Sequence, residues 1–101
     1  MRHQFVERSF AAVEAEINEE RAAALGRAGR RVQAEFDRCR QLSARIDDAG
    51  EPGERSRLLD EYRAAHAAFE HRRWQLHVHR EAIGLNDHRW VDRVYPMPAR
   101  R

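Results

Sequence analysis

Asp47-Asp48-Ala49-Gly50-Glu51-Pro52-Gly53 breaks a chain whose apolar residues otherwise recur at helical spacing. Gly50 suits the left-handed position just past a helix C-terminus. Pro52 suits the first turn of the next helix, where its missing N–H would have no partner anyway. The stretch therefore reads as a tight reversal between two helices, and so short a loop makes them antiparallel neighbours.

Upstream, Val6, Phe10, Val13, Ile17, Leu25, Ala28, Val32, Phe36, Cys39 and Ile46 fall at steps of three and four once Arg21 and Ser43 fill the gaps. The mean step is about 3.6, the α-helical period, so residues 4–49 are predicted to form one helix with a single apolar stripe. That mean exceeds the 3.5 of a strict coiled-coil heptad by about a tenth, which favours a nearly straight rod. At about 1.5 Å per residue the rod is roughly 68 Å long, and the protein should be elongated. Arg21, inside the stripe, is expected to snorkel or to pair with an acid.

Downstream, Leu59, Tyr62, His66, Phe69, Arg73, Leu76, Arg80 and Ile83 alternate by three and four, giving a second helix over 52–83 with Gly84 as its terminator. Asn86 or Asp87 is placed to cap a short helix over 88–94, and Pro96 and Pro98 leave 95–101 as an extended tail. The reading is all-α: one helical domain over 1–101, built on a long antiparallel hairpin.

Folding about the loop sets opposite each other residues whose numbers add to roughly 102. Phe36 then meets Ala64, Ala65, Ala67 and Ala68, while Trp74 and Leu76 meet Ala22, Ala23, Gly26 and Gly29, so large side chains face small ones. Interior glycines cost about 1 kcal/mol each in helix propensity, and close approach of Trp74 would explain them. Gly26, Gly29, Phe36, Phe69, Trp74 and Leu76 are accordingly the expected helix-packing residues. The same register leaves residues 1–17 beyond the end of helix two, with Trp90, Val91, Val94 and Tyr95 as the expected cover for Phe5, Phe10 and Val13.

Two helices shield each apolar stripe from one side only, and such a layer seldom offsets the entropy of ordering its residues. Leu42, Leu58, Trp74 and Val78 lie off the narrow seam and widen the apolar face. The expectation is a homodimer, two hairpins forming a four-helix bundle with twofold symmetry.

Composition narrows the function classes. All nineteen basic side chains are Arg, the formal net charge is only +2, and Arg and Glu interleave as on a solvated helix surface. The balance is uneven: residues 1–70 hold 12 Arg and 14 acids, residues 71–101 hold 7 Arg and 3 acids together with four of the six His. An acidic partner would bind that end. Cys39 is alone, which excludes an intramolecular disulfide and suits a small buried hydrophobe. No apolar leader follows Met1 and no run is long enough to span a membrane, so a cytoplasmic protein is expected.

Reactive constellations are scarce. His77 and His79 point about 200° apart on a helix, so only His77 with Glu81 could share an ion, which is half a site. No Glu is followed three residues later by His, the di-iron bundle signature. His66, between Tyr62 and Phe69, is expected to be a core histidine hydrogen-bonded to an acid and not a ligand or a pH switch; a metal or ligand carrier would need it facing inward with a partner acid such as Glu61 or Glu70. Ser9, Ser43 and Ser56 lack a Gly-rich elbow, and the Gly26 and Gly29 pair sits mid-helix without a phosphate-loop Lys. Neither an enzyme nor a cofactor or metal carrier is expected. Nucleic-acid binding is the specific alternative, through Arg72, Arg73, His77, Arg80, Arg89, Arg93, Arg100 and Arg101 interleaved with Trp74, Trp90 and Tyr95.

Ala24-Leu25-Gly26-Arg27-Ala28-Gly29-Arg30 and Arg80-Glu81-Ala82-Ile83-Gly84-Leu85 resemble segments of a small bacterial domain-of-unknown-function family of helical proteins. The resemblance implies a helical fold and a bacterial source, with no activity, cofactor or substrate attached. The leading expectation is a non-enzymatic, homo-oligomeric helical protein acting through protein contacts, as an adaptor, regulator or scaffold.

Overall fold

The computed structural model describes residues 2–101, with side chains described from Ser9 onward. The expected roles of Phe5 and Val6 therefore fall outside the described side chains. Three helices follow in order, α1 (Arg2–Asp48), α2 (Pro52–Ala82) and α3 (Arg89–Val94), and no strand occurs among the described residues. The first two lie against each other as a hairpin. The molecule measures 77 × 22 × 14 Å with a radius of gyration of 20.2 Å. A compact chain of this length would have a radius near about 13 Å.

The reversal forms where the sequence places it, by a different device. Gly50 does not enter the left-handed region; Gly84 is the sole described residue with positive φ, at 88°. Instead Glu51 is extended (φ −108°, ψ 137°) ahead of Pro52 in the first turn of α2. A residue before proline is pushed out of the helical region by the pyrrolidine ring, so Glu51 stops propagation of α1 and orients α2 in one step. Gly84 has the left-handed role at the other end of α2. Its N–H donates to the Glu81 carbonyl at 3.0 Å and the Leu85 N–H donates to the Arg80 carbonyl at 2.9 Å. That pair of bonds closes the helix C-terminus as a Schellman motif.

Buried residues trace the two stripes: Ala28, Val32, Cys39, Leu42 and Ile46 on α1, and Leu58, Tyr62, Ala65, Phe69 and Leu76 on α2, joined by Val91 of α3. Phe36 and Phe69 meet with ring centroids 5.6 Å apart, within one turn of the predicted register. Burial of Cys39 pushes its thiol pKa up, helped by the nearby Glu35 carboxylate. Leu42 and Leu58, expected on an outward flank, are at 1% and 0% exposure in the core. The buried arc is wider than a two-helix seam because a third element lies over it.

That element is the C-terminal tail, and its course overturns the predicted cover for the far end. After α3 the chain turns back toward the hairpin loop. Tyr95 packs edge-on to Phe36 with centroids 5.6 Å apart and donates its hydroxyl to Gln33 Oε1 at 2.7 Å. His66 Nε2 lies 2.9 Å from the Pro98 carbonyl, and the Tyr62 hydroxyl donates to the Ala99 carbonyl. Arg101 ends the run by donating to the Ser43 carbonyl and Oγ, each at 3.0 Å, and to Asp47 Oδ1 at 2.6 Å. Phe10 and Val13 stay 73% and 54% exposed, and Trp90 58%.

The glycine notch is also corrected. Trp74 is 59% exposed and stacks on His71 with centroids 5.9 Å apart. A Cβ on Gly29 would meet nothing within 4 Å, and one on Gly26 only the Arg30 side chain at 3.5 Å. Trp74 and Leu76, two residues apart, point about 200° from each other on a helix, so only one of them can face α1. The buried one is Leu76.

Candidate functional site

The molecule's unusual surface lies at its open end, away from the loop. A helix of 47 residues paired with one of 31 must overhang it. Ala23 and Ala24 line a groove with His79 and Ala82 near the last turn of α2. Ile17 and Glu20 line the same groove, and beyond them the α1 stripe has no partner among the described residues. Phe10, Val13 and Ile17, at 73%, 54% and 42% exposure, continue the face that is buried farther along at Ala28 and Val32. Glu14 and Arg21 flank this row. Arg21 therefore sits beside the exposed stripe, with no ion pair among the described residues.

Alongside the overhang's base stands the junction of α2 with α3. Arg73 donates to the Tyr95 carbonyl at 3.1 Å and lies 3.8 Å from Asp92. His77 and His88 stack with ring centroids 4.2 Å apart and planes inclined by 21°. His88 donates from Nε2 to Glu81 Oε1 at 2.9 Å, a carboxylate oxygen being able only to accept. His77 Nε2 stands 3.3 Å from Asp92 Oδ1 without hydrogen-bond alignment to it. Burial, followed by the charge of the stacked His88, lowers the His77 pKa below its ordinary value, with Asp92 opposing.

Most of the predicted basic contact set is committed here to holding the chain together. Arg80 donates to the Asp87 carbonyl at 2.9 Å. Arg89 clamps the Asp87 carboxylate through Nε and Nη2, which holds that carboxyl below the usual carboxylate range and raises the guanidinium pKa. Asp87 also accepts the Arg89 N–H at 3.0 Å, so it satisfies the start of α3 from one position before the cap residue, His88. Arg72 bonds Gln75. Arg93 has no ion pair among the described residues and is exposed.

No family model, curated protein or solved structure matches this chain. Its own geometry therefore carries the functional reading.

Other candidates resolve differently from expectation. His66 bonds a backbone carbonyl of the tail, not Glu61 or Glu70, because the tail reaches it first. The carbonyl accepts only, so the proton sits on Nε2. Among the described residues no three His, Cys, Asp or Glu side chains converge to hold a metal ion. The stacked His77 and His88 rings have nearly parallel planes, and in-plane lone pairs on parallel rings do not meet at one ion. Ser43 is occupied by Arg101. No described helix is long and apolar enough to cross a membrane.

Sequence reasoning missed Asp92 and His88, which organise the junction, and read Arg101, which anchors the tail, as a contact for nucleic acid. Each lies on or near the third element, whose course no helical periodicity encodes. Their charge opposite Arg73, Glu81 and Asp47 was the available signal.

Proposed function

We propose that this chain is a non-enzymatic helical protein that works by self-association and protein–protein contacts, as an adaptor, regulator or small scaffold, with a homodimer as its working form. The reading extends to a bacterial, cytoplasmic protein. One observation carries it: Phe10, Val13 and Ile17 form an exposed continuation of a stripe that is otherwise core. Isolated surface hydrophobes are ordinary, but a contiguous row on an unpartnered helix face marks an interaction site.

Sedimentation equilibrium tests the reading directly. A mass of twice 11.9 kDa at micromolar concentration supports it, and a strict monomer rejects it.

A second reading has its own support. Trp74 and Trp90 are exposed, so the Trp90 ring and the face of Trp74 away from His71 are open to stack on bases, with Arg72 and Arg93 nearby in sequence to meet phosphate. Arg73 and His77, however, are largely buried in the α2–α3 junction, and Arg80 and Arg89 bond Asp87, which reduces the basic surface free to meet phosphate. A gel shift with single-stranded RNA that weakens steeply with salt would favour this reading; no shift at low salt removes it.

A further inference from the structure

The two exposed surfaces of the open end differ in charge. Residues 9–21, the overhang and its base, contain Glu14, Glu16, Glu19 and Glu20 against Arg21 alone, while residues 71–94 hold five Arg against three acids, with four His besides. Both carry exposed apolar groups: Phe10, Val13 and Ile17 on the first, Trp74, Val78, Trp90 and Val94 on the second. The second set shares one level of the rod, because Arg73 reaches the Tyr95 carbonyl at 3.1 Å and His77 approaches Asp92 at 3.3 Å.

We infer that the acidic overhang of one copy docks on the Arg- and Trp-bearing α2–α3 surface of a second copy, and the reverse, so that two molecules clasp each other about a twofold axis. This rests on the self-association reading and specifies its geometry. Charge selects the arrangement. Pairing overhang with overhang would set Glu14 and Glu16 beside the same residues of the second copy, like charge against like, whereas overhang against the α2–α3 surface brings opposite signs together. Nucleic acid shares the sign of the overhang and is repelled by it.

Length selects it too. Phe10 lies about 18 residues up the rod from the part of α1 opposite Trp74, about 27 Å along a continuous helix, so a chain cannot lay its own overhang on its own tryptophans. A second copy can. Each copy carries both surfaces, so the exchange satisfies both at once and closes without leaving an end to propagate.

The test is a charge exchange on the full chain, read by sedimentation at low and high salt with helix content checked by circular dichroism. Glu14→Arg with Glu16→Arg, and separately Arg72→Glu with Arg93→Glu, are each expected to raise the dimer dissociation constant by about tenfold or more at low salt. All four changes together are expected to restore association to within a few-fold of the unaltered chain. Trp90→Ala, which removes an exposed ring and nothing from the core, should weaken the dimer by about tenfold. A dimer that Phe10→Glu disrupts but that ignores both Arg93→Glu and Trp90→Ala overturns the clasp while sparing self-association. A monomer at every concentration overturns both.

Discussion

The loop end and the open end of this rod are made from the same two helices, yet one is dry and the other wet. Near the loop, α1, α2 and the tail form three layers: Ile46, Leu58 and Phe69 are at 0% exposure. At the open end the tail is absent and α2 stops, and Phe10, Val13, Ile17, Trp74 and Trp90 stand in solvent. An amphipathic pair of helices therefore does not make a core by itself. The third layer does, and where the chain supplies none a neighbour has something to bury.

The sharpest break in that contrast is a pair of alanine substitutions. Phe69→Ala is expected to destabilise the fold by about 3–5 kcal/mol in chemical denaturation, because it leaves a cavity under Phe36. Trp74→Ala, at the exposed end of the same helix, should change stability by no more than about 0.5 kcal/mol in the monomeric chain. Equal effects would mean that Trp74 is core after all.

Removing residues 95–101 should make the dry end resemble the wet one. The loss is expected to be roughly 2–3 kcal/mol, from the apolar cover of Tyr95 and Met97 together with the bonds at Tyr62, His66 and Ser43. Hydrogen exchange should quicken at Leu42 and Leu58 and stay unchanged around Ile17. Uniform quickening would contradict a layer confined to one end.

Gly29→Ala has the opposite sign. With open space around the added methyl group, the gain in helix propensity should stabilise the chain by roughly 1 kcal/mol. A loss in thermal melting would show that some backbone or ring does approach there.

The smallest effect concerns the α2–α3 junction. The folded His77 pKa lies below its ordinary 6.5, so the unfolded chain takes up the proton more readily. Stability is therefore full above about pH 6.5 and declines as pH falls toward the folded value. Fluorescence of Trp90 against pH in a Trp74→Phe background should report loosening of α3 over that window, and His77→Gln should flatten the profile. A profile unaltered by the substitution would assign the transition to another group.

Legibility followed the range of the contacts. The helix bounds and the reversal at Pro52 were readable because periodicity and proline act over a few residues, and the Phe36 level followed from loop length. The His66 partner, the burial of Leu42 and the course of the tail were not, since each depends on a segment distant in sequence: Tyr95 with Gln33, Arg101 with Asp47. The basic set at residues 72–93 was legible as composition and misleading as a surface, since a count of Arg does not say which of them bind carboxylates and carbonyls of their own chain.

By itself the sequence determined that this chain is a helical hairpin with one helix longer than the other, because apolar spacing and helix breakers are local instructions. Only the tertiary structure decided which end is sealed. A tail without periodicity settles where its few hydrogen bonds and rings find partners, and among the described residues those partners lie along 33–73 and not on the overhang.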